Sequence, residues 1–418
     1  MKGRSGRGKS TDTPPALSNR ALTATSKSIS VRAQEIQPFI VMEVMERAME
    51  IEKGGRSVIH LEVGEPDFDT PEVIREAGIR AIRDGRTHYT HSLGHPELRE
   101  AIAEWYRKAY QVDVSPETII VSVGCSGAML LTFAALLDPG NRVLITDPGY
   151  PCYPKFIRAF EGVPACIPVQ EAEAFQYPVE RVEAELNSST RALVLNSPSN
   201  PTGTLTTPER IAELVQVSAG RATIVSDEIY HGLVYEDRAH SILEFTSEAV
   251  VINGFSKLFA MTGWRLGYAI LPEYLVRPAQ KLQQNLLISA PDFAQYAAIA
   301  ALNEAADEVE AMRCEYDRRR KFVLRRLSEM GLDLSAEPTG AFYVFFNVSC
   351  FTSRVYDFAF QILEEAGVAV TPGIDFGNNG EGYLRICYAN SMEKLEDGMK
   401  RLEQFFEVVP AVRHSIQN

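Results

Sequence analysis

The feature that most constrains the fold is a repeated alternation of short β-branched runs with longer amphipathic stretches. Short apolar runs bounded by turn residues are typical of buried strands, and amphipathic stretches between them are typical of crossover helices. Such alternation forms a mostly parallel sheet with helices on both faces. The sequence therefore predicts an α/β fold whose large domain has three layers, α/β/α. Candidate strands lie at 118–123, 142–146, 192–196, 223–226, 250–253 and 264–270.

The pattern changes after residue 303. A long charged helix is predicted at 307–330, followed by strands near 341–346 and 383–388 with a helix between them. This order is typical of a smaller α+β domain. We expect residues 31–60 to join it, because their helix at 41–53 has no strand partner nearby in sequence. The predicted organisation is a disordered tail at 1–30, small-domain residues at 31–60, a large domain at 61–303 and the rest of the small domain at 304–418.

Two helix starts carry the same signal, a threonine followed by proline and glutamate. The triplets begin at Thr70 and Thr207. A hydroxyl before the first turn can accept from a free backbone N–H, and proline is favoured at the first helical position. The sequence therefore predicts that both threonines cap helices.

Charge and cysteine usage limit the classes of partner. A net charge of −13 makes nucleic acid and anionic lipid poor partners. No run approaches the roughly 18 apolar residues needed to span a bilayer. Six scattered cysteines lack the spacing of zinc sites or disulfide frameworks, which is typical of reduced thiols. We therefore expect a cytoplasmic protein with no nucleic-acid or membrane partner.

Polar residues follow three of the predicted strands. Lys257 comes after strand 250–253, Asp227 after strand 223–226, and Asn200 lies in a proline-bounded loop after strand 192–196. Each has an ordinary alternative: a solvated lysine, a helix-capping aspartate and a simple turn. Ligands bind at the carboxyl ends of strands in open α/β sheets, so their common placement favours a shared site. A buried Asp227 would need a cationic partner.

The segment 122–128 runs from a strand into an apolar helix and contains Gly124, Cys125, Ser126 and Gly127. Free N–H groups and the dipole at such a helix start favour a phosphate. The spacing is neither a Walker loop nor a dinucleotide fingerprint. A single phosphate is therefore the predicted guest, with Cys125 as a packing residue rather than a nucleophile.

These segments, together with Tyr150 in the stretch 147–151, resemble the class I aminotransferases of fold type I, which use pyridoxal 5′-phosphate (PLP). The resemblance covers nearly all of residues 35–410. It includes Gly-Glu-Pro-Asp-Phe at 64–68 and Tyr-Leu-Arg-Ile at 383–386. It implies an enzyme that moves an amino group from an L-amino acid to a 2-oxo acid such as 2-oxoglutarate by a ping-pong mechanism.

The resemblance also implies a role for each cofactor residue. Lys257 would carry the cofactor as a Schiff base and move the proton at the substrate's Cα. Asp227 would keep the ring nitrogen protonated, Tyr230 and Asn200 would bond the phenolic oxygen, and Tyr150 would stack on the ring. The phosphate would be held by residues of the helix start and the lysine loop, namely Cys125, Ser126, Gly127, Ser256 and Arg265.

Two further residues are implied to bind the substrate carboxylate. Arg385 would grip it bidentately, and the Gly64 backbone would close over it beside Tyr150 and Asn200. Tyr89 matches a tyrosine that reaches the phosphate of the neighbouring subunit, so the resemblance implies a homodimer.

Two departures from the family pattern affect the details. Many relatives have a serine at the position of Gly254, so we expect Ser256 or Ser126 to compensate. Many acid-specific relatives have tryptophan at the position of Tyr150, which weakens any aspartate preference. The stretch 38–42, which lines the substrate mouth in relatives, is apolar here. A neutral or aromatic amino acid is therefore expected ahead of an aspartate-like one, although Arg86, Lys281 and Asn285 are candidates for a distal carboxylate.

Alternatives on the same fold remain open. A carbon–sulfur β-lyase or an aminocyclopropane carboxylate synthase would use the same lysine and carboxylate arginine. His88, His91 and His95 could suggest a metal, but Gly94 interrupts any helix and no acid completes the set. We therefore predict no metal site.

Overall fold

The structure, a computed structural model, describes residues 29–30, 33–34 and 36–410. Most of the predicted tail at 1–30 therefore lies outside the described residues. Among the described residues, those from Pro38 to 410 form one unit. Its helices and strands, in chain order, are α1 (Ile40–Lys53), β1 (Ile59–His60), α2 (Glu72–Arg83), α3 (Pro96–Tyr110), β2 (Ile119–Ser122), α4 (Gly124–Leu136), β3 (Arg142–Asp147), α5 (Tyr153–Ala159), β4 (Val163–Pro168), α6 (Val179–Glu185), β5 (Thr190–Asn196), α7 (Pro208–Ser218), β6 (Thr223–Asp227), β7 (Val250–Gly254), β8 (Gly267–Ile270), α8 (Glu273–Leu286), α9 (Asp292–Glu304), α10 (Ala306–Glu329), β9 (Tyr343–Asn347), α11 (Val355–Ala366), β10 (Val368–Ala369), β11 (Thr371–Pro372), β12 (Tyr383–Cys387) and α12 (Met392–Val408).

The central sheet has seven strands in the order β2-β8-β7-β6-β5-β3-β4. Neighbours pair in parallel except at β8, which runs antiparallel to both β2 and β7. The predicted α/β fold with a mostly parallel sheet is confirmed. The sequence does not predict β4, because Pro164 and Pro168 interrupt its apolar run. Proline is tolerated there because β4 is an edge strand with a free side.

Side chains along one strand alternate between two apolar cores on the two faces of the sheet. In β5, Ala192 and Val194 lie in one core, whereas Leu193 and Leu195 lie in the other. Residues of α4 and α8 complete the first core, and residues of α3 and α9 complete the second. This is the predicted three-layer arrangement. Burial on both faces explains why the strands read as continuous apolar runs.

A second, antiparallel sheet has the order β11-β12-β9, and β1 pairs in parallel with β10. The pairing joins Ile59 to Val368, so the N-terminal segment reaches elements near the carboxyl end of the chain. This supports our expectation that the segment before residue 60 belongs with the small domain. The domain boundaries at 61 and 304 remain a prediction.

The two threonine-proline-glutamate signals have different outcomes. Thr207 caps α7, because its hydroxyl accepts from the N–H of Arg210 at 3.2 Å. Thr70 does not cap α2, so that prediction is wrong. Its hydroxyl instead donates to the carbonyl of Ala260 at 2.6 Å, a tertiary acceptor that no local pattern shows. None of the described helices is long and apolar enough to cross a membrane.

Candidate active site

A cavity of about 330 Å³ lies at the carboxyl ends of β5, β6 and β7. It brings together most of the predicted site residues, which come from seven separate parts of the sequence. Two predicted cofactor residues are not in its lining: Gly127 is buried in the first turn of α4, and Tyr89 is 81% exposed. The three candidates for a distal carboxylate, Arg86, Lys281 and Asn285, do not line it either. The predicted residues that line the cavity are Gly64, Cys125, Ser126, Tyr150, Asn200, Asp227, Tyr230, Ser256, Lys257, Arg265 and Arg385.

Lys257 lies in the turn that follows β7. Its Nζ donates to the carbonyl oxygen of Gly64 at 2.7 Å and lies 5.8 Å from the centroid of the Phe342 ring. Burial lowers the pKa of Lys257. A lowered pKa increases the share of neutral amine near pH 7, and the neutral amine is the nucleophilic form.

Asp227 ends β6 and is 6% exposed. Its Oδ2 accepts from the Tyr153 hydroxyl at 2.7 Å, and its Oδ1 accepts from the N–H of Ile229 at 3.3 Å. Burial raises the pKa of Asp227 to about 6, although both hydrogen bonds and Lys257 oppose the shift. A buried carboxylate of this kind can accept a cationic partner, and the cavity offers space for one.

The Asn200 loop is tied to the strand end that carries Asp227. The N–H of Asn200 donates to Oδ1 of Asn196 at 2.9 Å, and Nδ2 of Asn196 donates to the Asp227 carbonyl at 3.0 Å. Asn196 therefore links the backbones of Asn200 and Asp227 through its side-chain amide. We did not predict it, although its position at the carboxyl end of a strand is a usable signal.

Arg385 projects from β12 and is 3% exposed. Its Nη1 donates to Oδ1 of Asn200 at 2.9 Å, and its Nη2 donates to the carbonyl of Glu62. The guanidinium carbon lies 4.5 Å from the Tyr343 ring centroid and 4.8 Å from that of Phe376. Among the described residues, no carboxylate pairs with it and its Nε has no partner. The planar group is therefore suited to an incoming carboxylate.

Tyr343 joins three of the predicted residues. Its hydroxyl lies 2.8 Å from that of Tyr230, and its ring faces Arg385. A Cβ added to Gly64 would overlap the same hydroxyl. Glycine is therefore required at position 64 so that backbone and tyrosine can approach this closely.

A polar recess lies where α4 begins. Gly124 has a φ of +70°, and a Cβ there would lie 2.9 Å from Nη2 of Arg265. Nη1 of Arg265 donates to the Thr262 carbonyl at 3.0 Å, and Ser126 is exposed in the first helical turn. A guanidinium beside the free N–H groups of a helix start is a suitable site for a phosphate.

Gly254 has no room for the serine that many relatives have. A Cβ there would lie 2.9 Å from Sγ of Cys125 and 3.0 Å from Cα of Gly267. Burial raises the pKa of the Cys125 thiol, so the thiol stays neutral and packs against this glycine. Glycine at position 254 therefore fits the close approach of both the Cys125 sulfur and the backbone at residues 266 and 267.

Several residues that shape the site were not predicted. Tyr153 begins α5 just after the predicted Tyr150, and the two rings are in contact at 5.2 Å between centroids. The others contact the site from distant parts of the chain. They are Tyr343, Phe376 and Thr371.

The histidines near residue 90 have other contacts. Nε2 of His95 lies 2.6 Å from Oδ1 of Asp292, and Nδ1 of His91 accepts from the N–H of Leu93 at 3.3 Å. Within the described part of the chain, no three His, Cys, Asp or Glu side chains are grouped as metal ligands.

Comparison with known families agrees with this geometry. The family model described as aminotransferase class I and II matches residues 56–402. The chain belongs to this family. The (5-formylfuran-3-yl)methyl phosphate transaminase of Methanocaldococcus jannaschii is 42% identical over 381 residues, which are 90% of this chain and 99% of that protein. An aspartate aminotransferase of Pyrococcus horikoshii is 40% identical over 384 residues, 91% of this chain and 97% of that protein.

A solved structure is equally similar. A Methanococcus jannaschii protein, described as similar in its active site to kynurenine aminotransferases, superposes with a TM-score of 0.85 at 41% identity, covering 91% of this chain and all of the other. The protein is thus a PLP-dependent aminotransferase of fold type I. The predicted family, enzyme class and cofactor are confirmed, and the lyase alternative is not favoured.

Proposed function

We propose that this aminotransferase exchanges the amino group between an apolar or aromatic L-amino acid and a 2-oxo acid such as 2-oxoglutarate. The observation that carries the proposal is the apolar wall of the cavity. Apolar walls favour uncharged side chains, and a few polar groups then fix orientation. The names of the relatives differ in substrate, so they do not decide the side chain. The apolar residues of the wall include Phe39, Val41, Met42, Val63, Met129, Phe156 and Ile229.

The residues present fit PLP. The buried Asp227 carboxylate suits the protonated ring nitrogen, and its raised pKa is consistent with an unmet cationic partner. Because Asn200 accepts from Arg385 through its Oδ1, its Nδ2 is left to donate to the phenolic oxygen beside Tyr230. Tyr150, which meets the Tyr153 ring edge to face at 5.2 Å, would cover the ring. We assign the phosphate to Arg265, to the hydroxyls of Ser126 and Ser256, and to the N–H groups of Cys125 and Gly127.

Bound PLP supplies an electron sink for the bond-breaking at the substrate's Cα. The chain's own residues do the rest. With the cofactor bound, Lys257 would be the group that takes up and gives back the proton at the substrate's Cα, a role for which its lowered pKa suits it. The guanidinium of Arg385 is itself held against two aromatic rings, so it would fix the α-carboxylate and with it the direction of the Cα–H bond.

We also propose that the working unit is a homodimer in which Tyr89 reaches the partner's phosphate site. The 81% exposure of this side chain supports the idea, because its ring and hydroxyl are accessible to a second subunit. A reducing cytoplasm is proposed as the compartment, supported by six free cysteines.

A spectral titration with single amino acids tests the substrate proposal. We expect aromatic and branched apolar amino acids, and glutamate as the second partner, to convert the lysine-bound cofactor to its amine form. Aspartate should convert it far more weakly. Conversion by aspartate and glutamate alone would overturn the apolar assignment.

A coupled assay separates transfer from elimination. We expect no pyruvate and ammonia from serine or cysteine derivatives when the 2-oxo acid is left out. Steady production of both without an acceptor would assign a lyase activity instead.

A further inference from the structure

The substrate-carboxylate arginine rests on the backbone of Glu62. Nη2 of Arg385 donates to the Glu62 carbonyl and lies 3.3 Å from Oγ1 of Thr371. The Thr371 hydroxyl donates to the same carbonyl at 2.9 Å. Any movement of residue 62 therefore changes the direction in which the guanidinium points.

The side chain of Glu62 is an unusual carboxylate. It is fully buried, and its Oε1 lies 2.7 Å from Nδ1 of His60. Its Oε2 has no hydrogen-bond partner among the described residues. A buried carboxylate with one partner depends strongly on that partner, because removing it leaves an uncompensated charge. Neither side chain lines the cavity.

His60 connects this buried group to the surface. Its side chain is 34% exposed, and its Nε2 lies 3.4 Å from Oε1 of Glu52 on α1. The charged groups that act on it are Glu62, which raises the pKa of His60 through their hydrogen bond, and Glu52, which adds to the effect. The neighbouring Asn390 is uncharged and donates to the His60 carbonyl at 2.9 Å.

We propose that His60 and Glu62 are positioning residues that act through Arg385 and set the enzyme's affinity for the carboxylate of its substrates. While His60 is protonated, it neutralises the buried carboxylate and residue 62 is held in place. When His60 loses its proton, Glu62 loses the positive charge beside it, and the support beneath Arg385 weakens. Because the pKa of His60 is raised, this contribution is complete below the ordinary histidine pKa and is lost as pH rises through the higher folded value.

Binding of phenylpropionate to the PLP-loaded enzyme, measured by calorimetry, tests the proposal. This probe has a carboxylate and an apolar body but no amino group, so it does not react or titrate near neutrality. We expect Glu62→Gln and His60→Asn each to weaken binding about tenfold, as for residues within one hydrogen-bond network. The KM for 2-oxo acids should rise similarly while kcat changes little. Glu46→Gln, an equal change of charge at an exposed position of α1 that does not contact His60, is the matched control and should leave binding unchanged.

The pH dependence of binding can first be measured on the unmodified enzyme and then compared with that of one variant. Binding of phenylpropionate to the unmodified enzyme should weaken as the pH rises past the pKa of His60, and His60→Asn should remove that dependence. Equal pH profiles for the two proteins would overturn the proposal. So would unchanged affinity in Glu62→Gln.

The inference rests on the proposed role of Arg385, and Arg385→Gln distinguishes the two. If this variant loses phenylpropionate binding while the Glu62 and His60 variants keep it, the positioning role alone fails. If Arg385→Gln binds the probe normally, the proposed carboxylate site fails as well. Phenethylamine, which lacks the carboxylate, should bind all variants alike.

Discussion

The two ends of the cavity are built in different ways. The cofactor end, formed by Asn200, Asp227, Lys257 and the start of α4, uses the carboxyl ends of strands within one sheet. The substrate end, formed by Arg385, Phe376 and the start of α1, joins an antiparallel strand, a turn and a helix that are far apart in sequence. The cofactor end is polar, and hydrogen bonds between neighbouring strand ends hold its side chains. At the substrate end, the Arg385 guanidinium lies against the rings of Tyr343 and Phe376. This difference suggests that one end fixes the chemistry and the other selects the side chain.

The largest effect is expected at the cofactor end. Lys257→Ala should lower turnover by about 10⁴-fold for every substrate, because it removes both the covalent anchor and the general base. The variant should still bind PLP but lack the visible band of the lysine-bound form. Lys321→Ala, a change on the exposed face of α10, is the control. A loss of turnover that differed between substrates would contradict the claim that the cofactor end fixes only the chemistry.

Asp227→Ala should lower kcat by roughly 10³-fold, the range seen when a single electrostatic stabiliser is removed. The loss should again be the same for aromatic, branched and acidic substrates. Circular dichroism and PLP content check that the fold is kept. Wild-type rates in a folded variant would mean that this carboxylate has been assigned the wrong role.

At the substrate end, Phe39→Ala should act selectively. It removes apolar surface from the wall, so kcat/KM should fall about tenfold for phenylalanine and remain near normal for alanine. Steady-state kinetics with both amino acids measure the ratio. A uniform loss would place Phe39 in the support of α1 rather than in the wall.

The smallest effect concerns a residue at the cofactor end that was not predicted. Tyr153→Phe removes the hydroxyl that donates to Asp227, so the pKa of that carboxyl, already raised to about 6, should rise further. The acid limb of the kcat/KM profile should therefore move to higher pH, with about a fivefold loss near neutrality. An unshifted acid limb would show that the hydroxyl does not affect this carboxylate.

The same contrast explains what the sequence could predict. Short apolar runs located the parallel strands, because strands buried on both faces have a simple signature. Asp227 and Lys257 were predicted because ligand sites of open sheets lie at strand ends. Tyr343 and Phe376 carry no such signature. Their contacts with Arg385 depend on how β9 and the turn before β12 pack, which local patterns do not specify.

Local patterns also failed where a distant partner changed the outcome. The arginine-rich stretch 318–321 follows acids in a charged helix, a pattern that predicts a solvated face or an interface rather than a nucleic-acid patch. Arg318 is exposed, but Arg319 and Arg320 are buried against Asp67 and Glu236, at 2.7 and 2.5 Å. Each also pairs with an acid of its own helix, Glu315 for Arg319 and Asp317 for Arg320. The helical pattern shows these local pairs, but the distant carboxylates and the burial depend on the tertiary fold. For these two residues the expectation is wrong.

The glycine at position 64 has a consequence for engineering. Because the Tyr343 hydroxyl fills the volume that a larger residue would need, any substitution there would displace the ring that supports Arg385 and the hydroxyl that meets Tyr230. Attempts to redesign substrate choice near this glycine would therefore disturb the cofactor's surroundings as well. Changes in the wall around Phe39 avoid that coupling and offer the safer route to new specificity.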